Sequence, residues 1–236
     1  MTPNRIAKRT AVSLIATGPL FLAGVILHPH APDAQDMAQL AYLQTGQPSW
    51  WPAHVLLLSS YLAFAVALFS IPHIDRFPPS ARRGMDLARR IAVFCVLTMA
   101  VHLLLPLGRD SVANSHRGWA FWTKDVVEAV DGVWALSVAT VAWSLARAGI
   151  AGHWITALLG VVGGIGFAVF SFFVPLTGVV VSMQFTRSLL HVVPVFGLLI
   201  VAWTLVAGGF VRAPTVLGGP ERTDQGSART SSAPRP

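Results

Sequence analysis

Charge is what this chain has least of. Only 11% of its 236 residues are Asp, Glu, Lys or Arg, against roughly 25% in a soluble domain, so it has too little polar surface to wrap a water-soluble globule. A single cysteine, Cys95, excludes an intrachain disulfide framework and a CxxC redox centre. The sequence contains no HExxH, HxxxH or CxxCH and no nucleotide-binding glycine loop, so no metalloprotease, c-type haem or dinucleotide signature applies. It also shows no internal repeat of solenoid or inverted-transporter type.

What the chain does have is apolar sequence. Hydrophobic residues make up 54% of it, gathered in runs that reach or approach the ~20 residues needed to cross a hydrocarbon layer. The pattern predicts an all-α polytopic bundle of six transmembrane helices at about residues 11–27, 52–71, 87–107, 126–146, 154–174 and 189–211. The first run follows Arg5, Lys8 and Arg9 but ends in Leu27-His28-Pro29-His30 without a small-x-small cleavage pattern, so it reads as an uncleaved span. Residues 1–211 form one bundle on this reading. The segment 212–236, rich in Pro, Gly, Ser and Arg, has almost nothing to bury and is expected to be a disordered tail.

Basic residues orient the bundle. Placing both termini in the cytoplasm puts 13 of the 17 Lys and Arg residues on that side, the asymmetry that positive-inside topology requires. The formal charge of +7 therefore reads as topology and contact with anionic lipid, not as a nucleic-acid interface. The connector from His28 to His54 carries no Lys or Arg and ends in Trp50-Trp51-Pro52, so it is expected on the outer face of the cell membrane, with Trp50, Trp51, Trp119 and Trp122 as surface anchors. Gly160 and Gly164 have the small-xxx-small spacing of close helix approach. It serves either internal packing or a homo-oligomer seam.

That orientation places His28, His54, His102, Glu128, Asp131 and His191 in one outer layer. Ionisable groups inside a membrane are costly unless they pair, ligate or line a watery cavity. The deeper residues, His102, His191 and Asp131, are the expected site, with His54 and Glu128 next. Thr98 with His102, Glu128 with Asp131, and His54 with Tyr61 each share a helix face. Three chemistries fit: His54, His102, Asp131 and His191 around a divalent metal; His102 and His191 as axial ligands of a b-type haem; or a His-carboxylate proton relay, with Glu128 and Asp131 as acid or base candidates. The competing reading leaves His28, His30 and His54 as solvated interfacial histidines and His73, His116 and His153 as loop polar residues.

His28-Pro29 closing the first span, Asp33, Trp51-x-x-His54 opening the second, and Ala129-Val130-Asp131-Gly132 resemble a diffuse group of actinobacterial six-span integral membrane proteins. The resemblance covers about the first third of the chain and that segment, and implies no activity. The sequence thus points to a metal- or haem-dependent hydrolytic or redox protein acting on a membrane-associated substrate. The alternatives are a cofactor-free carrier of a small hydrophobic or lipid-like ligand, or an accessory subunit to a membrane partner.

Overall fold

A computed structural model describes residues 3–29, 31, 37–74, 77, 79, 82–109, 119–150, 154–177 and 183–212. Parts of α5, α6 and α7 (defined below) are described by backbone alone: up to Asp125 and at Glu128, beyond Phe172, and before Val195. Among these residues every regular element is helical: α1 (Pro3–Leu27), α2 (Met37–Thr45), α3 (Trp50–Ser70), α4 (Arg82–Leu103), α5 (Trp119–Arg147), α6 (Trp154–Thr177) and α7 (Met183–Arg212), with short 3-10 turns at Ile71–His73 and Leu105–Gly108. Five helical segments are long and apolar enough to cross a membrane: Arg5–Leu27, Trp50–His73, Ala129–Arg147, Trp154–Phe172 and Val195–Arg212.

Several boundaries differ from the sequence expectation for local reasons. The third run was expected to reach residue 107, but α4 leaves the α-helix at Leu103 because Pro106 cannot donate in an α-helical ladder and opens a 3-10 turn instead. The first three turns of α4 carry Arg82, Arg83, Asp86, Arg89 and Arg90, which leaves it outside the five candidates. The fourth run extends back to Trp119, and the connector between α1 and α3 contains the short helix α2. At the other end, α5 stops in a Schellman-type turn: Ile150 N–H donates to Leu145 O at 3.0 Å and Gly149 N–H to Ala146 O at 3.0 Å. Gly149 sits at φ +67°, a conformation that glycine adopts without a Cβ clash.

The six long helices close into a ring. α1 packs on α3, α3 on α4, α4 on α5, α5 on α6, α6 on α7, and α7 returns to α1. Aromatic side chains fill the centre. Trp134 of α5 stacks on Phe21 of α1 at 5.0 Å and on Tyr61 of α3 at 4.9 Å, and Phe64 meets its edge at 5.7 Å. Trp134, Tyr61 and Phe64 are all fully buried, and each such ring pair contributes about 0.5–1.5 kcal/mol beyond area burial. The outside of the ring is apolar as well. Val12, Leu62, Phe69, Phe94, Leu97, Val101, Val169 and Leu198 are exposed, the arrangement of a surface solvated by lipid.

Small residues set the helix spacing. A Cβ on Gly160 or Gly164 would meet Ala142, Ala139, the Ala135 carbonyl or the Trp203 ring, so this glycine pair serves packing of α6 against α5 and α7. Between α1 and α3, Ser60 Oγ donates to Thr17 O at 2.8 Å, beside Pro19, the one proline inside α1. At the end of the bundle where α3 stops and α4 starts, Arg89 Nε donates to Leu68 O at 3.2 Å and pairs with Asp86 at 3.1 Å.

Candidate functional site

The C-terminal ends of α1 and α4 and the N-terminal end of α3 meet at one end of the ring, and each delivers a histidine. Gly24 makes the α1–α3 approach close enough: a Cβ there would stand 3.1 Å from Ala53 O and 2.7 Å from Leu57 Cγ. His28 lies one turn beyond Gly24, and His54 follows Ala53. Their ring centroids are 5.0 Å apart, and His54 lies 4.8 Å from His102. One ring nitrogen from each of His28, His54 and His102 lies within 4.8 Å of the other two.

Hydrogen bonds assign the ring protons of two of the three. His54 Nδ1 lies 2.7 Å from Trp50 O, and His28 Nδ1 lies 3.1 Å from Pro29 O. A carbonyl oxygen only accepts, so each Nδ1 carries the proton and each neutral ring keeps its lone pair on Nε2. His54 is fully buried, and its Nε2 has no hydrogen-bond partner among the described residues. Leaving such an atom unsatisfied costs about 1–3 kcal/mol. Imidazoles that ligate metals usually anchor the other ring nitrogen on a carbonyl or carboxylate, which is the pattern of His28 and His54. Three nitrogens around a zinc-type ion at about 2.0–2.1 Å would lie about 3.4 Å apart, so side-chain movements on the order of 1 Å would close the set.

The surroundings hold the cluster from both sides. Trp50 stacks on His54 with centroids 3.8 Å apart and planes at 22°, and lies 5.1 Å from His102. Its Nε1 donates to Leu103 O at 3.2 Å. Trp50 is only 2% exposed while Trp51 is 41% exposed. The expected pair of surface anchors therefore divides: Trp51 faces outward, whereas Trp50 is drawn inward by the ring contact with His54 and the unpaired carbonyl end of α4. On the connector side, Gln44 Nε2 donates to Pro29 O at 3.0 Å, Arg109 Nε donates to Tyr42 O at 3.1 Å, and the Arg109 guanidinium covers the Tyr42 ring at 4.0 Å.

Of the residues expected at the site, His54 and His102 come together. His28, expected at the solvated interface, joins them. Asp131 lies outside this group: its carboxylate accepts the Tyr61 hydroxyl in a short hydrogen bond. Tyr61 sits seven residues beyond His54 on α3, about 10.5 Å along the axis. Asp131 thereby forms a polar pair with α3 across the interior. Thr98 turns its hydroxyl back to Phe94 O and Cys95 O, each at 3.0 Å. Glu128 and His191 lie on α5 and α7, but their side chains fall outside the described residues, as do those of Trp119 and Trp122. His30, His116, His153 and Asp33 also lie outside them, as does the segment 213–236.

The fold and the cluster together define an α-helical protein with membrane-crossing helices and three converging imidazoles at one end. No family model, curated protein or solved structure matches the chain.

Proposed function

We propose that this protein is a multi-pass membrane metalloprotein whose His28, His54 and His102 hold a zinc-type divalent ion at the outer end of the bundle and support hydrolysis of a membrane-associated substrate. The observation that carries the reading is the convergence of three imidazoles at the ends of three helices, two with Nδ1 anchored on a carbonyl and one with a buried, unpartnered Nε2. Three histidines are a ligand set of catalytic zinc sites, whose fourth position holds water that becomes a nucleophile near neutral pH. In this chain the three histidines would hold the ion, the Pro29 and Trp50 carbonyls orient His28 and His54, and Trp50 excludes water from one side. A haem is less well supported. The expected axial pair was His102 with His191; His102 faces His54 at 4.8 Å, and the His191 side chain lies outside the described residues.

On this reading α4 is the sixth crossing. It fills the gap in the ring between α3 and α5, and its Val93, Phe94, Leu97 and Val101 are exposed on the outside. Arg5, Lys8, Arg9, Arg82, Arg83, Arg89, Arg90, Arg147 and Arg212 all lie toward the end of the ring opposite the histidines. That distribution supports cytoplasmic termini and an outward-facing site.

Metal analysis of the detergent-purified protein after zinc exposure and desalting tests the assignment. Close to one zinc per chain is expected in the wild type and in His73→Ala, whose side chain is exposed, with loss of that zinc in His54→Ala. Equal zinc in wild type and His54→Ala, or none in the wild type, overturns it.

A further inference from the structure

We propose that Trp50 is the positioning residue of the imidazole cluster, setting the spacing of His54 and His102 and restricting the site to an ion of low coordination number; this rests on the metal reading above. Three different parts of this one residue act on the histidines. Its main-chain carbonyl accepts the His54 Nδ1 proton at 2.7 Å, which commits the Nε2 lone pair to the cluster. Its indole Nε1 donates to Leu103 O at 3.2 Å, next to His102 and in the last turn of α4, where the carbonyls lack donors within the helix. Its ring stacks on His54 at 3.8 Å and lies tilted beside His102 at 5.1 Å and His28 at 6.3 Å.

The consequence is a clamp between two helices. Trp50 opens α3 and Leu103 closes α4, so the indole bond fixes how far the first turn of one stands from the last turn of the other. His54 and His102 each lie within one turn of that bond. Without it, α4 loses its indole bond to α3 at this end of the bundle, the Arg89–Leu68 bond lying at the other. The indole also fills one side of the cluster, so added ligands reach an ion only from the others. Four-coordinate zinc or cobalt fits that restriction, whereas magnesium, calcium and manganese need six or more ligands, mostly oxygen.

The test uses the full-length protein in detergent, with zinc affinity read by competition with a chromophoric chelator and cobalt(II) absorption as the geometric signature. Trp50→Phe keeps a ring but loses the N–H. Site-specific replacement of Trp50 by benzothienylalanine keeps the size and shape of indole and exchanges only N–H for sulfur, so it guards against a folding defect. Both replacements are expected to lower zinc affinity about 10- to 100-fold, the usual effect of removing an outer-shell partner, while metal-free melting of the benzothienyl protein stays near wild type. Trp50→Ala is expected in addition to weaken the intense tetrahedral cobalt bands. Wild-type zinc affinity and an unchanged cobalt spectrum in the benzothienyl protein would overturn the positioning role alone. A wild type that binds neither zinc nor cobalt would overturn the metal reading and this inference with it.

Discussion

Gly24 offers the sharpest test of how the site is built, because there stability and metal affinity should part company. A Cβ at this position would lie 2.7 and 2.9 Å from Leu57 Cγ and Cδ2 and 3.1 Å from Ala53 O, where carbon contacts normally settle at about 3.5–4.0 Å. The Leu57 side chain can rotate away, but the Ala53 carbonyl belongs to the helix backbone, so α1 and α3 must separate by a few tenths of an ångström. Overpacking of this kind costs about 1–3 kcal/mol. Removing a mid-helix glycine returns about 0.8–1 kcal/mol. Gly24→Ala should therefore lose only about 0–2 kcal/mol of stability, the difference between those two figures. The site has no such offset. Its nitrogens must already close from within 4.8 Å to about 3.4 Å around zinc, and a wider α1–α3 seam moves His28 away from His54. Zinc affinity should fall about tenfold in Gly24→Ala and further in Gly24→Val, a bulkier β-branched residue, read by chelator competition beside thermal melting in detergent. Gly209→Ala, where no atom lies within 4 Å of the added Cβ, should leave affinity untouched. Wild-type zinc affinity in Gly24→Val would refute the claim that this seam sets the cluster.

Three further outcomes are expected. Tyr61→Phe removes the hydroxyl donor of Asp131 and should cost about 1.5–3 kcal/mol in unfolding experiments, the range for hydrogen bonds to charged groups, without changing zinc affinity; loss of zinc would show that the two polar sites are one. Arg109→Ala removes both the bond to Tyr42 O and the guanidinium over its ring, so amide exchange across residues 37–49 should accelerate, while unchanged exchange would mean that other contacts hold α2. In a Cys95→Ala background, Leu43→Cys should react with an impermeant thiol reagent in intact cells and Arg82→Cys only after lysis. The reverse pattern would invert the orientation.

Much of the helical layout was legible because long apolar runs and charge clusters report it directly. The end of α1 at Leu27 and the body of α3 fall where the sequence places them. The helix α2 was missed, since a nine-residue stretch with almost no amphipathic character carries no decisive period. The candidate cluster was legible only in one dimension. Charge asymmetry and distance from the span ends put His28, His54 and His102 at similar depth, but depth says nothing about direction around a helix. His28 looked like an interfacial residue from its position beside Pro29, and only the packing of α1 on α3 turns it inward. The hydrogen bond of Asp131 to Tyr61 across the ring likewise has no signature in one dimension. Gly24 was the available clue: a lone glycine one turn before a span-end histidine marks a place where another backbone comes close.

The order of the helices around the ring has a consequence for biosynthesis. His28 follows α1, and His54 and His102 lie on α3 and α4, so the complete imidazole set is synthesised before α5. At synthesis rates of about 5–20 residues per second, the second half of the chain then takes on the order of ten seconds. At the start of that interval α1, α3 and α4 are present without the aromatic plug that Trp134 supplies. Zinc captured at this stage would fasten α1, α3 and α4 while the chain is still growing. The seam between α1 and α7 closes last, where Gly18 sits against Val201 and Thr204, and Gly208 against Ala11 and Ile15.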